Sequence, residues 1–132
     1  MTLSPRKWKW VALSTVLAAH DRLIAAYGGL SGIRDKGVIE SALARPQNLA
    51  AYGKPDAAEL AAAYVFGIVR NHGFADGNKR TGWLVAEVFL VRNGYLFVCE
   101  DAVLVLQVER LAAGLVDQER MAEWIRARLQ EG

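Results

Sequence analysis

The sequence is poor in the residues that build disulfide frameworks, zinc sites and membrane spans. Its 132 residues contain one cysteine, Cys99, so no disulfide can form within the chain. The two histidines, His20 and His72, are far apart, which disfavours a zinc site of the usual ligand types. The longest apolar run, residues 60–69, is half of the roughly 20 residues that a membrane span requires. These scarcities favour a protein of the reducing cytoplasm with no membrane partner.

Positive and negative charges are nearly balanced, since the formal net charge is only +2 at pH 7. Nucleic-acid binding needs a clustered basic patch, so no direct nucleic-acid partner is expected from this balance. Hydrophobic residues make up 53% of the chain, which favours a packed globule over disorder. At this length, the simplest interpretation is a single domain over residues 1–132.

Periodicity and capping residues predict an all-α fold of about six helices around one central buried helix. The first helix is expected to begin near Ser14 and to end at the two glycines 28–29. Its apolar spacing continues through the part that loosely imitates a signal-peptide cleavage site, so the helical interpretation is favoured. Asp35 is predicted to cap a short second helix that stops before Pro46. Residues 46–55 are then expected as an exposed loop or flap.

The third and fourth helices are predicted on either side of a polar loop. Asp56 and Glu59 resemble a capping box, and Gly67 among several alanines permits close packing of the third helix. Residues 84–90 are apolar on nearly every side except Glu87, which is typical of a helix in the middle of a fold. We therefore expect the fourth helix to be the central one.

The remaining chain is predicted to hold one extended piece and two helices. Residues 95–99, YLFVC, are expected to be too isolated to build a sheet. Asp101 begins the fifth helix, and Asp117 caps the sixth. The sixth helix is expected to carry four apolar residues on one face: Met121, Trp124, Ile125 and Leu129.

The loop sequence NHGFADGNKRTGW, residues 71–83, is unusually dense in polar chemistry. Asn78, Lys79 and Arg80 follow Gly77 at the predicted start of the buried helix. Free N–H groups and the positive dipole end make such a start an anion site. The cations Lys79 and Arg80 are repelled by the positive end of the helix dipole, and a bound phosphate would offset this repulsion. A Walker A loop is excluded, because asparagine precedes the lysine and the stretch follows a helix.

Three further residues of the loop complete a candidate site. Asp76 offers a hard oxygen ligand beside the phosphates, as magnesium sites require. His72 lies across a loop that spans at most about 17 Å, and it can take a proton from an attacking hydroxyl. Phe74 is predicted to anchor the loop. Taken singly, His72 is more often a helix cap, Asp76 a turn residue, and Lys79 and Arg80 solvated cations. The joint pattern favours a site, because the structural interpretation needs a separate coincidence for each residue.

At these residues the sequence resembles the Fic/Doc family, whose core motif reads H-x-F-x-(D/E)-(G/A)-N-(G/K)-R. Seven residues match the motif position for position: His72, Phe74, Asp76, Gly77, Asn78, Lys79 and Arg80. The stretches HDRLIAAYGGLSGIRDKGVIESALARP and FLVRNG are similar to the death-on-curing (Doc) toxin branch. The resemblance therefore extends over most of the chain.

The resemblance implies a role for each of the matched polar residues. His72 is similar to the general base that activates a target hydroxyl, and Asp76 to the ligand of Mg²⁺. The phosphates of ATP are expected in an anion hole and on an arginine, at Gly77, Asn78, Lys79 and Arg80. Flap residues in such proteins can align a target segment, which makes residues 46–55 a candidate docking edge.

Two positions distinguish this chain from the larger Fic enzymes, which transfer AMP. Those enzymes usually have glycine in place of Lys79 and a second arginine in place of Trp83. The Doc branch resembles this chain at both positions and is associated with protein phosphorylation, although it often has alanine in place of Gly77. A lysine fills space that an α-phosphate needs, which favours a reversed nucleotide with its γ-phosphate in the hole.

The leading hypothesis is the toxin of a type II toxin–antitoxin system that phosphorylates a hydroxyl of a translation protein with ATP. Elongation factor Tu is the substrate that the resemblance implies. One alternative is AMP transfer to a protein hydroxyl. Another is a catalytically silent co-repressor that binds an antitoxin, which the intact His72, Asp76 and Arg80 disfavour. The inhibitory pattern (S/T)-x-x-x-E-(G/N) is absent from these 132 residues, so an antitoxin helix bound in a groove is expected to inhibit the enzyme.

Overall fold

The computed structural model describes residues 7–132; residues 1–6, which the single-domain prediction includes, lie outside this part. The described chain folds into six helices and two short strands, which confirms the all-α prediction. The helices are α1 (Leu13–Tyr27), α2 (Lys36–Tyr52), α3 (Ala57–Asn71), α4 (Asn78–Arg92), α5 (Asp101–Ala112) and α6 (Gln118–Arg126). The strands are β1 (Tyr95–Phe97) and β2 (Leu129–Glu131). None of these helices combines the length and the hydropathy that crossing a membrane requires.

Three of the predicted helix starts are confirmed by side-chain caps. Asp35, Asp56 and Asp117 each accept a hydrogen bond from the backbone N–H three residues further along the chain. Asp56 also forms the predicted capping box with Glu59. The cap expected at Ser14 is wrong, because α1 begins one residue before it and no side chain caps its start.

The two helices that flank the polar loop form the centre of the fold. α4 is buried along much of its length, but α3 is buried more completely, with eleven of its 15 residues inside, so α3 shares the central position that was predicted for α4 alone. Gly82 allows these helices to approach, since a Cβ atom there would lie 2.7 Å from Cγ2 of Val69. Gly67 likewise allows α2 to approach α3, since a Cβ atom there would lie 3.1 Å from Cβ of Ala42. Both ends of the loop are therefore held by the core.

α2 is longer than predicted, and the expectation that it stops before Pro46 is wrong. The helix continues through Pro46 to Tyr52, although proline cannot donate a hydrogen bond to the carbonyl of Ala42. Pro46 is buried on the face of α2 that packs against α3, so burial of that face outweighs the missing hydrogen bond. The flap predicted at residues 46–55 is consequently wrong as well, because only residues 53–56 connect the two helices.

The extended piece after α4 is not isolated as expected. β1 pairs antiparallel with β2 at the end of the chain, with Phe97 opposite Leu129. Leu129 therefore lies in a strand, and the prediction that it continues the face of the last helix is wrong. The Phe97 ring also lies 4.5 Å from Trp83 of α4 and 5.5 Å from Trp124 of α6, between ring centres. This aromatic cluster fixes the strand pair to α4 and α6.

Candidate functional site

The polar loop begins at His72, which directly follows α3 and has a left-handed backbone with φ 51° and ψ 50°. It is the one residue other than glycine with positive φ within residues 7–132. This conformation costs a non-glycine residue about 1–2 kcal/mol, and such strain concentrates at functional sites. The imidazole is exposed and makes no hydrogen bond or ion pair within the described part of the chain. His72 thus occupies the cap position and also presents a free side chain.

The middle of the loop is held from inside by Phe74 and Asn78. The Phe74 side chain is fully buried. Its backbone N–H donates to Oδ1 of Asn78 at 3.0 Å, and Nδ2 of Asn78 donates back to the Phe74 carbonyl at 3.1 Å. Because this pair engages the amide oxygen and one of the two Nδ2 hydrogens, the Asn78 side chain holds the loop, and its backbone N–H is left to bind a phosphate.

The Asp76 carboxylate lies exposed at the end of the loop, and both of its oxygens accept backbone hydrogen bonds. Oδ2 accepts from Leu30 N–H at 3.2 Å, and Oδ1 accepts from Gly77 N–H at 2.8 Å. The hydrogen bond from Leu30, followed by that from Gly77, holds the pKa of Asp76 below its ordinary value. Gly29 leaves room for the carboxylate, since a Cβ atom there would lie 2.7 Å from Oδ2. Asp76 is therefore ionised at neutral pH, with oxygen lone pairs available to a cation.

The start of α4 exposes unpaired backbone donors. Gly77 is left-handed with φ 75°, and the first intrahelical hydrogen bond runs from Thr81 N–H to the Gly77 carbonyl at 3.0 Å. The backbone N–H groups of Asn78, Lys79 and Arg80 have no partner within residues 7–132. No acidic residue occupies this first turn, and both cationic side chains are exposed. Three free N–H groups and two cations make this helix end a candidate anion site.

Arg80 is held over the end of α1. Its guanidinium carbon lies 4.3 Å from the centre of the Tyr27 ring, a cation–π contact that leaves the N–H groups free. A guanidinium in this position can make a forked, charge-assisted contact with phosphate oxygens. Trp83, by contrast, is only 8% exposed and packs on Phe97, so its position adds no cation to the site.

Sequence reasoning did not assign His20 to the site, but the structure places it directly beneath the loop. The His20 ring is stacked on Phe74, with centres 3.9 Å apart and planes 10° from parallel. Its Nε2 atom lies 2.8 Å from the backbone carbonyl oxygen of Asp76. The two chain positions are 56 residues apart, so nothing in the local sequence indicated this contact.

One face of α1 contributes two more residues that contact the loop and the start of α4. Ile24 lies one turn after His20, and a Cβ atom on Gly77 would come within 3.1 Å of its Cδ1 atom. Tyr27, which contacts Arg80, follows three residues later. The spacing of four and three residues is that of one helix face, and it was the available sequence signal for this contribution.

The segment between α1 and α2 lies along the loop. Ile33 forms an antiparallel bridge with Phe74, and the backbone N–H groups of the next two residues both donate to the Gly73 carbonyl at 2.9 Å. Residues 29–35 therefore border the candidate site.

The docking edge predicted at residues 46–55 does not border it. The α2 residue that lies against the loop is Ile39, because a Cβ atom on Gly73 would clash with it at 2.5 Å. Residue 46 lies about 10 Å further along the helix from there. The prediction is wrong, because residues 46–52 are helical and point away along α2.

The chain's own donors fit a magnesium ion that is shared with a nucleotide. Within residues 7–132, no group of three or more His, Cys, Asp or Glu side chains could hold a metal alone. Magnesium in phosphate sites is commonly held by one or two carboxylates, with phosphate oxygens and water as the other ligands. Asp76 is ionised, exposed and adjacent to the free N–H groups of α4, so it fits this arrangement.

Comparison with known proteins agrees with the motif. The sequence profile of the Fic/DOC family matches residues 10–90. The chain is 42% identical over 80 residues to "Protein kinase doc" of Escherichia phage P1, which covers 60% of this chain and 64% of that protein. It is 44% identical over 72 residues to "Toxin Doc" of Mycolicibacterium smegmatis, which covers 52% of this chain and 55% of that protein. The match thus spans less than two thirds of either relative.

Proposed function

Because the chain belongs to the Fic/DOC family, we propose that it is the toxin of a type II toxin–antitoxin system that transfers the γ-phosphate of ATP to a protein hydroxyl. The observation that carries the proposal is the start of α4. Its unpaired N–H groups and its two cations adjoin the ionised Asp76, and the loop begins with the free imidazole of His72. The relatives named a protein kinase and a toxin support the same assignment.

The proposed mechanism uses each part of this site in one step. His72 accepts the proton of the target hydroxyl, whose oxygen then attacks the γ-phosphorus. The bond from the γ-phosphorus to the bridging oxygen breaks, and ADP leaves. The free N–H groups, Lys79 and Arg80 stabilise the negative charge on the transferring group. A magnesium ion held by Asp76 and the phosphates would add further charge neutralisation when bound.

The choice of the γ-phosphate over the α-phosphate rests on Lys79 and Trp83. Lys79 adds bulk and a cation to the anion site, which suits the more highly charged γ end of the nucleotide. The larger AMP-transferring enzymes have a second arginine at the position of Trp83, which in this chain is uncharged and buried against Phe97. AMP transfer remains the alternative outcome of a labelling experiment.

The proposed substrate is a translation protein, with elongation factor Tu the candidate that the family resemblance implies. Three large apolar side chains are exposed at the end of α1 and on the segment that borders the loop, and they offer a protein substrate a contact surface: Tyr27, Leu30 and Ile33. We further propose an inhibitory antitoxin that binds as a helix in a groove of this protein.

Expression in bacteria tests the toxin assignment. The wild-type chain should arrest growth, and the His72→Ala variant should not, because no base then accepts the hydroxyl proton. Arg22→Ala, on an exposed part of α1, serves as a control that should arrest growth like the wild type. Soluble wild-type protein that leaves growth unchanged would refute the toxin assignment, as would arrest by His72→Ala at equal protein levels.

A further inference from the structure

His20 is a buried imidazole that the proposed chemistry does not use. Only 1% of its surface is exposed, and a buried polar side chain of this kind requires hydrogen-bond partners. Nε2 lies 2.8 Å from the Asp76 carbonyl oxygen, whereas Nδ1 lies 4.0 Å from the exposed Asp21 carboxylate. Because a carbonyl oxygen can only accept, Nε2 must carry a proton and donate it.

The other contacts of His20 restrict the loop to one position. The ring is stacked on Phe74, which Asn78 holds through two hydrogen bonds. Ile24, one helical turn further, packs against Gly77. The loop therefore lies on α1 through ring stacking, apolar packing and a single directed hydrogen bond from His20.

That hydrogen bond determines which way the Asp76–Gly77 peptide faces. A trans peptide is planar, so its carbonyl and its N–H point in opposite directions. With the Asp76 carbonyl directed at His20, the Gly77 N–H points away from α1 and donates to Oδ1 of Asp76 at 2.8 Å. A flip of the peptide before a glycine is sterically permitted and would reverse both groups. Apart from His20, no group within residues 7–132 donates a hydrogen bond to the Asp76 carbonyl.

We infer that His20 is a positioning residue: it locks the Asp76–Gly77 peptide so that the Asp76 carboxylate and the start of α4 face the nucleotide phosphates. The inference rests on the proposed function for its consequence, but the locked peptide itself does not. Loss of His20 should let the peptide flip, and it should weaken magnesium–ATP binding without unfolding the chain.

The intact protein offers a first test that needs no substitution. Long-range ¹H–¹⁵N NMR of the His20 ring should show a proton on Nε2 that is protected from solvent exchange. A ring that carries its proton only on Nδ1 would overturn the inference, because it cannot donate to the Asp76 carbonyl.

Two substitutions separate the hydrogen bond from the stacking. His20→Phe keeps a ring against Phe74 but has no donor, and His20→Gln keeps an N–H donor. Arg22→Ala on the exposed side of α1 is the control. At a temperature where all variants are folded, His20→Phe should move the Gly77 amide resonance and speed its hydrogen exchange. It should also weaken magnesium–ATP affinity about tenfold, the equivalent of one net hydrogen bond. His20→Gln should restore much of both.

The outcomes distinguish this inference from the proposed function. If His20→Phe lowers only thermal stability, with the Gly77 amide and the magnesium–ATP affinity unchanged, His20 is a structural residue and the inference is wrong. If the wild type itself binds no magnesium–ATP, the proposed function fails. The Gly77 amide of the variants then decides alone whether His20 locks the peptide.

Discussion

Phe74 and Asn78 are joined by a closed pair of hydrogen bonds, at 3.0 Å and 3.1 Å, between a backbone and a side-chain amide. Asn78 is the first residue of α4, and Phe74 lies in the middle of the preceding loop. The pair therefore fixes the loop to the helix that begins directly after it. This explains why the motif needs an amide at this position: an amide both donates and accepts.

The first prediction is that Asn78→Asp destabilises the fold although it is nearly isosteric. A carboxylate can accept from Phe74 N–H but cannot donate to the Phe74 carbonyl, which is then left unpaired in a buried place. We expect a loss of about 1–3 kcal/mol in the free energy of unfolding, measured with urea. The same substitution at the exposed Asn48 of α2 is the control. Equal effects at both positions would contradict the role given to the pair.

The second prediction separates stability from function at His72. Its φ of 51° is unfavourable for alanine and permitted for glycine. His72→Gly should therefore be more stable to denaturant than His72→Ala by about 1 kcal/mol. Both variants should lack phosphate transfer. If His72→Ala proves as stable as His72→Gly, the backbone at this position is not strained in solution.

The helix pattern and most of the caps were predictable, because they depend on residues that are close together in the sequence. Asp56 with Glu59 is a local signal, and so are the glycines that follow α1. The continuation of α2 through Pro46 was not predictable, since the local cost of proline is outweighed by packing against α3, a tertiary effect. The pairing of Phe97 with Leu129 joins distant parts of the chain in the same way.

The candidate site was predictable to a different degree for each residue. The dense motif predicted a candidate anion site at the start of α4, because free N–H groups and cations at a helix start are a local pattern. The sequence did not reveal that the Asn78 side chain is engaged by Phe74. It also gave no indication that His20 reaches Asp76, because a helix face of correct spacing does not show which loop it contacts.

The third prediction concerns Arg80. Its planar guanidinium can hold two phosphate oxygens, and the cation–π contact with the Tyr27 ring places that guanidinium at the start of α4. Arg80→Lys keeps the charge but loses the fork, so transfer should fall on the order of tenfold to a hundredfold with normal folding. Steady-state kinetics would measure this, with the exposed Arg110→Lys of α5 as the control. Full activity in Arg80→Lys would show that transfer does not need a forked contact between Arg80 and the phosphates.

The fourth prediction concerns the acid titration of Asp76. Its pKa is lowered because Leu30 N–H and then Gly77 N–H donate to the ionised carboxylate. The stabilisation from these bonds is present at neutral pH and is lost as the pH falls through the lowered pKa, below about pH 4. Carboxyl ¹³C NMR should show Asp76 titrating below an ordinary aspartate.

Removal of the Leu30 donor provides the comparison. Leu30→Pro has no backbone N–H and should raise the pKa of Asp76, whereas Leu30→Ala keeps the donor and should not. If Asp76 titrates like an ordinary aspartate in the wild type, the two hydrogen bonds are not maintained in solution.

The most direct measurement of the proposed function follows labelled phosphate from ATP to protein. Purified protein is incubated with a bacterial lysate and ATP that carries its label at either the α or the γ position. We expect a target protein to gain label from the γ position alone, and His72→Ala or removal of magnesium by a chelator should abolish the signal. Label that arrives from the α position would contradict phosphate transfer and would identify the chain as an AMP transferase.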